Sequence, residues 1–202
     1  MPDFAMTPQL QLALKLLGTP SAKLRELIDE FCGALEPLPV GTPDPLAAPS
    51  DEETAELEDN GTPIWEWLAE PPLPALGADV WVFGNPPRVR ANRDALPYLR
   101  TAATASNDDR RNAAWLFRAL RQRAKTFERI ASAIVGAHPR LAIAEDDIPP
   151  VATREIAEAI GIHESTVGRV ADGGMRLQNI HGVFALANRK HTISVHRVHD
   201  AV

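Results

Sequence analysis

At 202 residues, with 18 prolines and one cysteine (Cys32), the chain can hold one sizeable core or several small modules, and proline's exclusion from regular elements favours division. The lone cysteine excludes an internal disulfide, no apolar run reaches the ~18 residues of a membrane span, and the start MPDFAMTPQ lacks the pattern of a secretory signal. A cytoplasmic protein with no membrane association is expected. The net charge of −6 conceals a division: residues 1–80 carry 15 acidic against 3 basic side chains (−12), and residues 81–202 carry 12 against 18 (+6).

The predicted elements begin with MTPQLQLALKLL at 6–17, an amphipathic helix in which Leu10, Ala13, Leu14 and Leu17 recur at i, i+3, i+4 and i+7, with Gln9, Gln11 and Lys15 polar. Gly18 can stop it, and Thr19-Pro20-Ser21 offers a cap and first-turn proline for a second helix. There Leu24, Leu27, Ile28 and Phe31 repeat the spacing. Two short leucine-rich helices must pack on each other, on the rest of the chain, or on a partner. Residues 37–64 then change character, with Pro37, Pro39, Pro43, Pro45 and Pro49 followed by the acidic run DEETAELED. So little apolar surface predicts a flexible linker, interrupted by Trp65, Trp67 and Leu68. Val80–Phe83, Gly84-Asn85-Pro86-Pro87 and Arg88-Val89-Arg90 suggest a small β-hairpin.

From Asp108 to Val135 the pattern is one long helix of roughly 40 Å. Its apolar side is Leu116, Leu120, Phe127, Ile130 and Ile134, extended by Trp115 and Ala131. The other face is assigned Arg110, Arg111, Arg118, Arg121, Arg123, Lys125 and Arg129, either a solvated basic surface or a phosphate-contacting strut. Thr153–Val170, TREIAEAIGIHESTVGRV, then reads as a helix-turn-helix. Ile156, Ala157, Ile160, Val167 and Val170 give the apolar seam, and Gly161 sits at the sharp turn, where it tolerates positive φ. Ser165, Thr166 and Arg169 are left on the outward side of the second helix, within reach of DNA. A protein-contacting two-helix hairpin would share this spacing. The basic half suits a polyanionic partner, though two solvated surfaces of opposite sign would give the same count.

Three of these segments resemble the bacterial sigma-54 (sigma-N) family. Met6–Leu17 looks like its activator-interacting N-terminal region, Ala113–Val135 like its extra-long helix, and Arg154–Val170 like its helix-turn-helix, with His163–Thr166 (His-Glu-Ser-Thr) the most specific core. Asp79-Val80 through Leu96–Arg100 resembles the end of the core-binding region, and Gly182-Val183-Phe184 with Leu186 the segment after the helix-turn-helix. The resemblance implies a mainly α protein: an activator-interacting helical region at 1–36, a disordered acidic linker at 37–77, a core-binding remnant with a small hairpin at 78–102, the long helix and helix-turn-helix at 103–187, and a tail at 188–202.

It also implies a transcription initiation factor that binds core RNA polymerase and the −12 region of promoter DNA, and depends on an AAA+ ATPase activator. On this resemblance Glu164, Ser165, Thr166 and Arg169, with Arg121 and Arg129, are the DNA-binding residues, and Arg169 is the first candidate for reading a base. Gln9, Leu10, Leu14, Leu17, Leu24 and Leu27 are the inhibitory or activator contacts. Against the family pattern, most of the core-binding domain and the −24-reading C-terminal domain are missing from this sequence, Gly168 replaces a small polar residue, and Ile180-His181 replaces Pro-Arg. A truncated interaction protein that sequesters the activator, or occludes promoter DNA without supporting initiation, is the alternative expectation, and a decayed remnant a third. No cofactor and no metal is expected: His191, His196 and His199 lack accompanying ligands apart from Asp200, and nothing marks a nucleophile with its base, so the chain is expected not to be an enzyme.

Overall fold

The computed structural model describes residues 8–31, 35–37, 77–92, 99–101 and 106–198. Residues 38–76 of the proposed linker, with its tryptophans, lie outside them, as do Cys32 and His199. Helix α1 (Pro8–Leu17) and helix α2 (Leu24–Phe31) are joined by a short 3₁₀ turn at Ser21–Lys23. Strands β1 (Leu35–Pro37) and β4 (Leu99–Thr101) pair antiparallel by themselves. Between them in sequence come β2 (Val80–Phe83) and β3 (Arg88–Ala91), the expected hairpin. The long helix α3 spans Asn107–Ala137, and strand β5 (Ile148–Ala152) leads into α4 (Thr153–Ile160) and α5 (Glu164–Asp172). The chain then runs through β6 (Arg176–Asn179), β7 (Gly182–Arg189) and β8 (Thr192–Arg197).

These strands correct the expectation of a mainly α protein. Among the described residues they build a six-stranded mixed sheet of order β3-β2-β6-β7-β8-β5, parallel only between β2 and β6. The marginal β2–β3 hairpin thereby gains a neighbour in β6, which supplies what two strands alone lack. The C-terminal residues read as a tail contribute β8, whose Ile193 and Val195 are fully buried. The strand signal was present as a period-two alternation, Thr192-Ile193-Ser194-Val195, but too short to stand out beside three histidines and two basic residues.

Helix α3 is the spine of the fold. Ser106 caps it, with its hydroxyl accepting from Asp109 N while the Asp109 carboxylate accepts from Ser106 N, a reciprocal capping box. Its N-terminal half, through Ala113, Leu116 and Leu120, buries Leu12 and Leu16 of α1 and Leu24 and Ile28 of α2. Its C-terminal half, through Phe127, Ile130, Ala131 and Ile134, packs on Val80, Val82, Ile156, Val167, Val170, Phe184 and Ile193. The buried face of α1 is therefore centred on Leu12 and Leu16, while Leu10 stays 49% exposed. No helix among the described residues is long and apolar enough to cross a membrane.

Candidate nucleic-acid interface

The turn between α4 and α5 follows from local chemistry. Gly161 adopts φ 64°, the left-handed conformation expected of it. Its N–H donates to Glu158 O and the Ile162 N–H donates to Ala157 O, the paired bonds of a Schellman motif. His163 then caps α5, its Nδ1 accepting from Ser165 N at 3.1 Å, with the Ser165 hydroxyl 2.8 Å away. Val167, Val170 and Ala171 bury the inner face of α5, which leaves Ser165 and Arg169 exposed and Glu164 and Thr166 half-buried. An open groove of about 560 Å³ runs along the outer side of α5, lined from the helix by His163, Glu164, Ser165, Gly168, Arg169 and Asp172.

The six candidate DNA contacts are thus not equivalent. Glu164, Ser165 and Arg169 share that groove, whereas Thr166 is half-buried and does not line it. Arg121 is half-buried on α3. The Arg129 guanidinium donates to Ile160 O at the C-terminal end of α4, so it fastens the spine to the helix-turn-helix and interacts favourably with that helix end. Arg123, assigned from sequence to the solvated basic face, is instead 2% exposed.

That buried arginine organises the contact between the N-terminal helices and the rest. Its Nε donates to Leu16 O at 2.9 Å and its Nη2 to Thr19 O at 2.9 Å, and the guanidinium lies 4.1 Å from the Phe127 ring centroid. Asp79, 6% exposed, is its counter-ion at 3.4 Å. One Asp79 oxygen also accepts from the Ser21 hydroxyl, and the other from Arg176 N at 2.8 Å. Burial pushes the Arg123 pKa below the usual arginine range, against the pull of Asp79. A signal existed for Arg123: it falls at i+3 from Leu120 and i−4 from Phe127, inside the apolar stripe. Asp79 carried none, since it closes the acidic half of the sequence.

The same junction touches α5. Gly18, after α1, meets Gly173, after α5, so closely that a Cβ on Gly173 would lie 2.8 Å from the Gly18 carbonyl carbon. Of the N-terminal candidates, Gln9 and Leu10 are exposed, Leu14, Leu17 and Leu27 half-buried, and Leu24 fully buried. Leu17 packs against the core that holds the helix-turn-helix.

A capped helix pair with a polar and cationic outer face, carried on a long helix and backed by a sheet, has the form of a helix-turn-helix DNA-binding module. Residues 103–196 match the family model for the sigma-54 DNA-binding domain. The chain is 36% identical over 99 residues to an RNA polymerase sigma-54 factor of Pseudomonas aeruginosa, covering 41% of this chain and 20% of that protein. It is 33% identical over 135 residues to one of Caulobacter vibrioides, covering 57% and 27%, and 45% identical over 67 residues to RNA polymerase sigma-54 factor 1 of Bradyrhizobium diazoefficiens, covering 32% and 13%. Over the matched part of its length the chain is similar to the sigma-54 family, most clearly to that family's DNA-binding domain. It spans 13 to 27% of the length of these relatives.

Proposed function

We propose that the chain is a non-catalytic, sigma-54-type transcription factor that binds promoter DNA at the −12 region through α5, associates with core RNA polymerase, and answers to an AAA+ ATPase activator through its N-terminal helices. The observation that carries this reading is the groove along α5, where Ser165, Glu164 and Arg169 face outward together within the family-matched segment. Arg169 is the proposed base reader, since a guanidinium can make two hydrogen bonds to a guanine edge. Ser165, Thr166 and Glu164 set its register, and Arg121 and Arg129 serve from the spine. Gln9 and Leu10, with Leu14, Leu17, Leu24 and Leu27 behind them, form the proposed activator-responsive element, and its closeness to Gly173 gives that element a route to the reader.

The exposure of Gln9 and Leu10 at the start of α1 also favours a second reading, in which the chain captures the activator without supporting initiation. Co-purification with core polymerase, followed by a gel shift on a −24/−12 promoter at stated salt, separates the two. The first reading expects both to succeed. Failure of both with activator binding retained contradicts it and selects the second.

A further inference from the structure

The turn between β7 and β8 carries features that the helix-turn-helix reading leaves unexplained. Arg189 and Thr192 form the last pair of the ladder, so Lys190 and His191 are its two turn residues. Lys190 has φ 45° and His191 φ 69°. A two-residue turn of this hand needs positive φ at both central positions, and Asn-Gly or Gly-Gly fills it with the least steric conflict. Here a lysine and a histidine occupy both places, next to an arginine, and all three are exposed.

This basic tip is held in a fixed relation to the helix-turn-helix. The His191 carbonyl accepts from Thr153 N at 2.9 Å, at the first residue of α4, and Arg189 O accepts from the Thr192 hydroxyl at 2.6 Å. A Cβ on Gly168 would lie 3.1 Å from Asn188 Nδ2, so α5 carries glycine where the hairpin leans on it. Lys190 and His191 line the same groove as Ser165 and Arg169, and the buried Thr153 hydroxyl beneath them has no hydrogen-bond partner. The acidic residues of the groove, Glu164 and Asp172, both belong to α5.

We propose that the Arg189–His191 turn is a second DNA-contacting element, which grips backbone phosphates beside the groove that α5 enters. This deepens, and rests on, the DNA-binding reading above. Flexible cations on a rigid hairpin position a duplex without reading its sequence, because phosphates carry no base information. The contact is therefore electrostatic and equal on any sequence.

The test uses the full chain, two fluorescein-labelled duplexes (a −12 promoter sequence and a scrambled one), and anisotropy titrations at several salt concentrations. The variant Lys190→Asn/His191→Gly installs an Asn-Gly turn, which keeps the hairpin and removes the basic side chains; Arg189→Ala is added separately. We expect an unchanged or raised Tm, an affinity lowered by about threefold to tenfold on both duplexes alike, and a log K against log salt slope smaller by about one for each cation removed. Wild-type binding that Arg169→Ala weakens and the turn variants leave unchanged overturns the second contact alone. A loss confined to one duplex overturns the phosphate assignment. Absence of wild-type binding to either duplex overturns the DNA-binding reading together with it.

Discussion

The two halves of α3 solve different packing problems with one helix. The C-terminal half meets a sheet and two helices, and its core contains fully buried groups from every layer, among them Phe184, Ile130, Ile156, Val170 and Ile193. Among the described residues, the buried apolar cluster of the N-terminal half is completed by α1 and α2, whose contribution is Leu12, Leu16, Leu24 and Ile28. At the boundary lies Arg123, where the buried stripe turns polar, followed by Thr126. The body is thus held by hydrophobic burial, which is non-directional and cooperative, whereas the junction of the N-terminal helices adds to a smaller apolar cluster a buried ion pair whose geometry must be kept. The proposed activator-responsive element is better fastened by the second kind of contact, because loss of one partner releases it.

The largest effect that sharpens this contrast is Phe184→Ala. It should cost about 3–5 kcal/mol and lower the Tm of the whole body, as read by calorimetry, since Phe184 is fully buried at the centre of the sheet. Asp79→Ala comes next, at about 3 kcal/mol or more, because it leaves the Arg123 charge buried without its counter-ion. Hydrogen exchange should show that loss concentrated in α1 and α2, while β7 and α4 keep their protection. Replacing both partners, Asp79→Asn with Arg123→Met, should recover part of it; equal loss of protection everywhere would erase the distinction between the halves.

Gly173→Ala ranks third, at about 1–3 kcal/mol. Its new methyl group would strike the Gly18 backbone, and protease cleavage between α1 and α2 should accelerate. Gly161→Ala is the smallest, at about 1 kcal/mol for forcing a side chain into the left-handed region. Chemical denaturation should report it as a loss in the body alone.

The helix-turn-helix was readable because its determinants are local: a glycine at the turn and an apolar seam within eighteen residues. The sheet was less so. Its parallel pair joins Val80 to Leu177, almost a hundred residues apart, and the β2–β3 hairpin gives no local sign of that neighbour. Arg123 was misplaced for a related reason, since a charged side chain counts as surface until Asp79 and the Leu16 and Thr19 carbonyls are brought to it. The glycine at 168, which departs from the small polar residue of the family pattern, is explained only once Asn188 is seen lying against it.

The direct test of the account is the affinity of the full chain for a −12 promoter duplex, with and without Arg169→Ala, at one fixed salt concentration. A guanidinium that reads a base predicts a loss of about 1–3 kcal/mol, roughly fivefold to a hundredfold or more, with weaker discrimination against a scrambled duplex. A loss of less than about twofold, with the fold intact, would contradict α5 as the reading helix, because a base-reading arginine is worth more than that.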